Sequence, residues 1–325
     1  MTDDSAGIDD LLCRLTGDPV PGPATIDAGM LRLLAAMRQE TATPTRRSTT
    51  PWLRRVAVAA AVVAMALAVS VLTPAEVTAL GDLAEVAETV APTIAAEGQY
   101  VYRVTEQTGL QSLSRADLGI GGSGDVTYLR SVEVHTWEGA DAIREEVILG
   151  SAEFFDPTAE AAYRGSSAEA REKPGTVVSS ERERVPFPLD ARLWPIATDA
   201  LRGAMEAHVS NLPAETPEAA QLIDLAGELL RDPRIAADLR GAVIRVLDGI
   251  DGVVVGHVDD GVTVSLRYTA PPGGDTVYTL AFDGQGRLLR ETETWMDGND
   301  AAGVPAGTTI FDRRYGIPMV VDSLG

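Results

Sequence analysis

The rhythm of apolar and polar positions changes several times along this chain, and each change predicts an element. Ile8, Leu11, Leu12 and Leu15 stand at i, i+3, i+4 and i+7, and Met30, Leu33, Leu34 and Met37 repeat the spacing. Each set puts its apolar residues on one face of a short helix. Between them "GDPVPGPAT" carries three prolines and reads as a turn or extended linker. Asp27 is placed to cap the second helix. From Val56 to Ala75 the pattern turns uniformly apolar, 20 residues without a charge. As a helix that run is about 30 Å long, the thickness of a bilayer's hydrocarbon layer.

Beyond the run, "TPAE" is a capping-box pattern (Thr73 with Glu76), and a helix follows to about Val90, closed by Pro92. "GQYVYRVTEQ", "DVTYLRSVEVHTW", "AIREEVILG" and "GTVVSSERERV" then alternate as strands do. "ATDALRGAMEAHVS", "PEAAQLIDLAGELLRD" and "DPRIAADLRGAVIRVLDGI" return to helical spacing, with Pro213, Pro217 and Pro233 at boundaries. Strands resume in "GVVVGHVDD", "GVTVSLRYTA", "DTVYTLAFD" and "GRLLRETETWM", joined by the turns "DDG", "PPGGD" and "DGQGR". The predicted class is α+β: a single transmembrane helix carrying an extracytoplasmic, curved antiparallel sheet wrapped by helices. The expected organisation is a cytoplasmic tail over 1–50, the span over 51–75, a juxtamembrane helix over 76–95 and an α+β domain over 96–325.

Charge sets the orientation. Arg46, Arg47, Arg54 and Arg55 precede the run, and the first charges after it are Glu76, Asp82, Glu85 and Glu88. Basic flanks stay in the cytoplasm, so the N-terminus is expected inside and the larger part outside, with Trp52 as an interfacial anchor. A cleaved export signal fits less well, because some 50 residues precede the apolar run and Pro74 sits badly beside a cleavage site. Ala60, Ala64 and Ala68 have small-xxx-small spacing, which reads either as a helix-pairing face or as compositional bias.

The formal net charge is −21. Residues 1–55 hold seven acidic and seven basic side chains, so the deficit belongs to the remainder. Such a surface repels phosphates, and nucleic acid is not expected as a partner. Lys173 is the only lysine and Cys13 the only cysteine, which leaves no disulfide framework and no thiol cluster for a metal.

Several stretches together resemble a group of actinobacterial single-pass membrane proteins often encoded beside extracytoplasmic-function sigma factors. They are the short inner tail, the arginine-flanked span, "GQYVYR", "LWPIATDAL", "DLRGAVIRVLDGIDGVVV" and "YTLAFDGQGRLLRETETW". The outer domains of that group are similar to lipoprotein-carrier folds, where a curved sheet closes over helices around an apolar cavity. The resemblance implies a role in envelope sensing or sigma-factor control.

Candidate chemistry is sparse. "GIGGSG" (Gly119–Gly124) matches G-x-G-x-x-G, but a strand pattern follows where the dinucleotide motif needs a helix, so it reads as a loop. His135, His208 and His257 are far apart and have no second ligand at turn or helix spacing. "DGNDAAG" (Asp297–Gly303) is acidic but lacks the later oxygen ligands of a calcium loop. Glu145, Glu146, Glu291 and Glu293 are expected on solvated strand faces rather than as an acid/base pair. No nucleophile elbow is present, and no enzyme, cofactor or metal is expected.

Two readings remain. In the first the chain is a membrane-anchored regulator, anti-sigma-like, whose outer domain registers an envelope condition. Its tail would bind a cytosolic sigma factor through Ile8, Leu11, Leu12, Leu15, Met30, Leu33, Leu34 and Met37. A tail this short cannot bury two apolar stripes in a core of its own. The stripes either pack on each other, lie on the membrane or dock on a partner. In the second reading the chain is an anchored module for a lipid or lipoprotein, and the tail is incidental.

Overall fold

The computed structural model describes residues 77–115, 118, 125–139, 142–183, 194–212, 216–258, 261–270 and 274–322, the side chains of 77–79 and 181–183 excepted. The apolar run of 56–75 and the whole preceding tail lie outside the described residues, so the spanning helix and the paired stripes do too. Among the described residues no helix is long and apolar enough to cross a membrane.

The fold is α+β. Helix α1 (Val77–Ala87) precedes strands β1 (Tyr100–Ser114), β2 (Asp125–Glu138) and β3 (Ala142–Phe154). Two short helices, α2 (Pro157–Tyr163) and α3 (Ser167–Arg171), lead to β4 (Val177–Glu183). Helices α4 (Thr198–Val209), α5 (Glu218–Arg231) and α6 (Ala237–Asp248) follow. The chain ends in β5 (Val253–Val258), β6 (Gly261–Ala270), β7 (Gly274–Asp283), β8 (Leu288–Trp295), β9 (Thr308–Tyr315) and β10 (Met319–Val321).

Both sets of strands form one antiparallel sheet in the order β4-β3-β2-β1-β9-β8-β7-β6-β5, with β10 paired to β1. The seam between the halves is β1 against β9, running from Thr105 opposite Tyr315 to Gly109 opposite Phe311. The sequence pattern did not reveal β9 or β10. At Gly316 the chain leaves β9 with its N–H donated to the Val104 carbonyl at 2.8 Å, and β10 then takes up the rest of the β1 edge.

Burial follows the two periodicities of helix and strand. In β7, Thr276, Tyr278, Leu280 and Phe282 are buried while the residues between them are half-buried. These side chains, with Val264 and Leu266 of β6, meet the helices in the main core. Helix α5 carries two buried stripes because it touches β6 and β8 on one side and α4 and α6 on others. Helix α6 buries Leu239, Ala242, Val243, Val246 and Leu247. In α1, Leu80, Leu83, Ala84 and Ala87 stand at i, i+3, i+4 and i+7, and all four are buried in that same core. Full burial of each leucine contributes about 1.5–3 kcal/mol. The helix next to the apolar run is thus a wall of the domain.

Candidate functional site

Glu291 corrects one expectation. Instead of lying on a solvated face it is fully buried on β8. Arg231, at the end of α5, grips it with both prongs: Nε donates to Oε1 at 2.8 Å and Nη2 to Oε2 at 2.6 Å. The hydroxyls of Tyr278 and Tyr315 add donations at 3.1 and 2.6 Å. Burial alone would raise this carboxyl's pKa; the Arg231 charge and hydrogen bonds overturn that and hold it below the usual range. Burial pushes both tyrosines up. Arg103 of β1 lies over the Tyr315 ring and donates to the Arg231 carbonyl, and Arg313 of β9 donates to Gln107 of β1. A carboxylate so fully engaged fixes α5, β7, β8 and β9 to one another beside the seam. It is a clasp. Of the other glutamates in that expectation, Glu145, Glu146 and Glu293 are half-buried.

A second polar cluster sits under α2 and α3. Asp156 caps α2 by accepting from Thr158 N–H, with Pro157 at the first helical position. Ser166 caps α3 by accepting from Glu169 N–H, and the Glu169 carboxylate reaches back to Gly165 N–H, a close relative of the capping box. These two helices cover the end of β2 and β3 where the rings of Tyr128, Phe154 and Tyr163 meet, with centroids 5.2–5.3 Å apart. Arg130 of β2 lies beneath them, its side chain 2% exposed. Nη2 donates to Glu172 Oε2 at 2.6 Å and to the Tyr163 hydroxyl at 2.7 Å, while Nη1 donates to the carbonyls of Gly150 and Glu172. Tyr128 and Tyr163 donate to the same Glu172 oxygen. Pairing between β2 and β3 slips between Arg130 and Val132, so β3 has an extra residue where the Gly150 carbonyl meets Arg130. Beside the cluster is a hollow of about 560 Å³, lined by Arg130, Phe154, Tyr163, Ala170, Lys173 and Pro174 among others. That volume suits a small-molecule ligand.

On the opposite side of the sheet, β1 and β2 hold a hydrogen-bonded chain. The Tyr102 hydroxyl meets His135 Nδ1 at 2.6 Å, and His135 Nε2 meets Glu133 Oε1 at 2.5 Å. Arg144 pairs with Glu146 and lies over the Trp137 ring. Burial, with Glu133 and Glu146 nearby, raises the Tyr102 pKa. A phenol so placed holds its proton at neutral pH. A shallow trough of about 360 Å³ beside it is lined by Glu106, Glu133, Asp312 and Arg314 among others.

The junction of α1 with α6 is tight. A Cβ on Gly241 would lie 2.9 Å from the Ala84 carbonyl and 2.4 Å from Glu88 Cγ, so only glycine lets the helices approach this closely. Arg245 pairs with Glu88, whose pKa falls below the usual range through that hydrogen bond. Buried Arg240 donates to the carbonyls of Val90 and Ile235. Thr93 N–H donates to the Pro233 carbonyl at 2.9 Å.

Of the residues singled out in the sequence, Ile8, Leu11, Leu12, Leu15, Met30, Leu33, Leu34 and Met37 lie outside the described residues. So do Gly119–Gly124, which are followed by strand β2. His208 is in α4 against the Trp194 ring, and His257 is exposed on edge strand β5. Within "DGNDAAG", Asp300–Ala302 form a 3-10 turn capped by the Asn299 side chain. Among the described residues no group of three or more His, Cys, Asp or Glu is placed to hold a metal ion. The sequence reading missed α2, α3 and the hollow they roof. Their signals, "DPTAE" and "SSAE", are ordinary N-cap patterns in short segments. Comparison with protein-family models, with curated proteins and with solved structures found no match.

Proposed function

We propose that the chain is a membrane-anchored regulator that couples a folded extracytoplasmic body to a cytosolic partner, a sigma factor in the anti-sigma-like form of this reading. The observation that carries it is the docking of α1. This helix begins two residues after the apolar run ends, and its Leu80, Leu83, Ala84 and Ala87 are buried in the main core. A passive tether works through a flexible linker. A helix clamped by Gly241, Arg240 and Arg245 transmits a change in the body to the segment before it. On this reading the 56–75 run crosses the bilayer, the four flanking arginines keep the tail inside, and the two apolar stripes meet the partner.

Crosslinking in intact cells tests the proposal, comparing the full chain with a variant that carries serine at all eight stripe positions. Capture of one cytosolic protein by the parent and its loss in the variant is the expected result. Identical capture by both sinks the coupling role. A second arm inserts six Gly/Ser residues between Ala75 and Glu76. It should leave capture intact while abolishing any response to outer-domain perturbation.

A further inference from the structure

We infer that the hollow beneath α2 and α3 is a binding site for a singly charged amphipathic anion, a carboxylate or phosphodiester bearing an apolar chain.

Its charges argue for the anion. In a chain of net charge −21, three cations, Arg130, Arg164 and Lys173, converge on one hollow with two carboxylates, Glu169 and Glu172. Arg130 is spent on Glu172, and Arg164 is shared between Glu160 and Glu169. Lys173 is left exposed, with no ionic partner among the described residues. It is also the only lysine in the sequence. One uncommitted ammonium matches one negative charge.

The walls argue for the chain. Phe154, Tyr163, Ala170 and Pro174 line the hollow. Ala152 of β3 adds to that apolar lining. A polar solute would gain nothing there, and a wholly apolar one would leave Lys173 unused. The site asks nothing of the cytosolic tail, so it stands or falls apart from the regulatory role.

The test uses the full chain in phosphatidylcholine nanodiscs and follows ¹³C-labelled hexanoate, octanoate and decanoate by NMR, with empty discs subtracted. Affinity should rise about fourfold per methylene until the hollow is full. Octanoate should bind more tightly than octanol, by up to about fivefold, through Lys173. Lys173→Gln should erase that preference and Lys173→Arg should keep it. Ala170→Trp, on the exposed side of α3, should flatten the length dependence while melting as the parent does. Adding phosphatidylglycerol to the disc separates the sources. Displacement of octanoate supports a site filled from the bilayer, and undiminished binding supports a soluble anion. Equal affinity for octanoate and octanol in the parent, or an unchanged preference in Lys173→Gln, overturns the assignment. So does binding no greater than that of empty discs.

Discussion

Replacing Arg231 with methionine would leave the Glu291 carboxyl buried without the guanidinium that grips it, with only the charge of Arg313 beside it. An unpaired buried charge is far costlier than a neutral acid, so in the variant Glu291 takes up a proton. Keeping a carboxyl neutral at pH 7, when its unfolded pKa is about 4.3, costs about 3.7 kcal/mol. The Tyr278 and Tyr315 hydroxyls can still donate to the neutral acid, so this proton cost dominates. It sits within the roughly 3–5 kcal/mol expected on breaking a buried pair. For a body of this size about 4 kcal/mol corresponds to a fall in Tm of about 8–16 °C.

The cost also depends on pH in a defined direction. In the parent the folded pKa of Glu291 is lowered. Its contribution is therefore complete above the unfolded carboxylate range and is lost as pH falls through the folded value. At pH 5.5 the variant's proton cost drops to about 1.6 kcal/mol. Parent and variant should converge on acidification, as followed by near-ultraviolet circular dichroism during thermal unfolding. The double variant Arg231→Met with Glu291→Gln has no carboxyl there, and its deficit should stay constant between these pH values. A single-variant penalty below about 1 kcal/mol at pH 7, or one equal at both pH values, would refute the clasp.

Other outcomes follow from the same geometry. Gly241→Leu forces α1 off α6 and should cost about 1–3 kcal/mol, with α1 becoming the first segment cut in limited proteolysis; unchanged cleavage would count against the docked helix. Tyr128→Phe removes one of three donors to the Glu172 oxygen and should cost about 1 kcal/mol in thermal unfolding, because Arg130 and Tyr163 remain. Glu88→Gln weakens an exposed pair with Arg245 and should shift the melt by less than about 1 kcal/mol, an effect that added salt removes.

Much of the sheet was legible because its strands alternate cleanly. In "DTVYTLAFD" the residues that face the helices are Thr276, Tyr278, Leu280 and Phe282, every second position. The helices were legible for the corresponding reason, as the buried stripe of α6 shows. Strand β9 was not, because "TTIFDRRY" is charged on both sides. Asp312 is used by Arg290 and Arg314, and Arg313 by Gln107. Arg290 and Gln107 lie far off in sequence, so no local pattern announces them. Glu291 was misread for the same reason. Its spacing to Glu293 is that of an exposed strand face, and the cation that buries it comes from the end of α5, 60 residues earlier. The hollow was hidden because its roof is two helices shorter than the window over which helical periodicity can be read.

The strand that completes the middle of the sheet, β9, is made only after β1 to β8. Until Tyr315 has been synthesised, β1 and β8 each expose a row of unsatisfied backbone groups, and Arg313 has not reached Gln107. Closing the seam joins segments about 200 residues apart, a contact whose loop entropy makes folding slow. The nascent body should therefore stay open, with sticky edges, while β1 to β8 are made, and depend on holdases until β9 arrives.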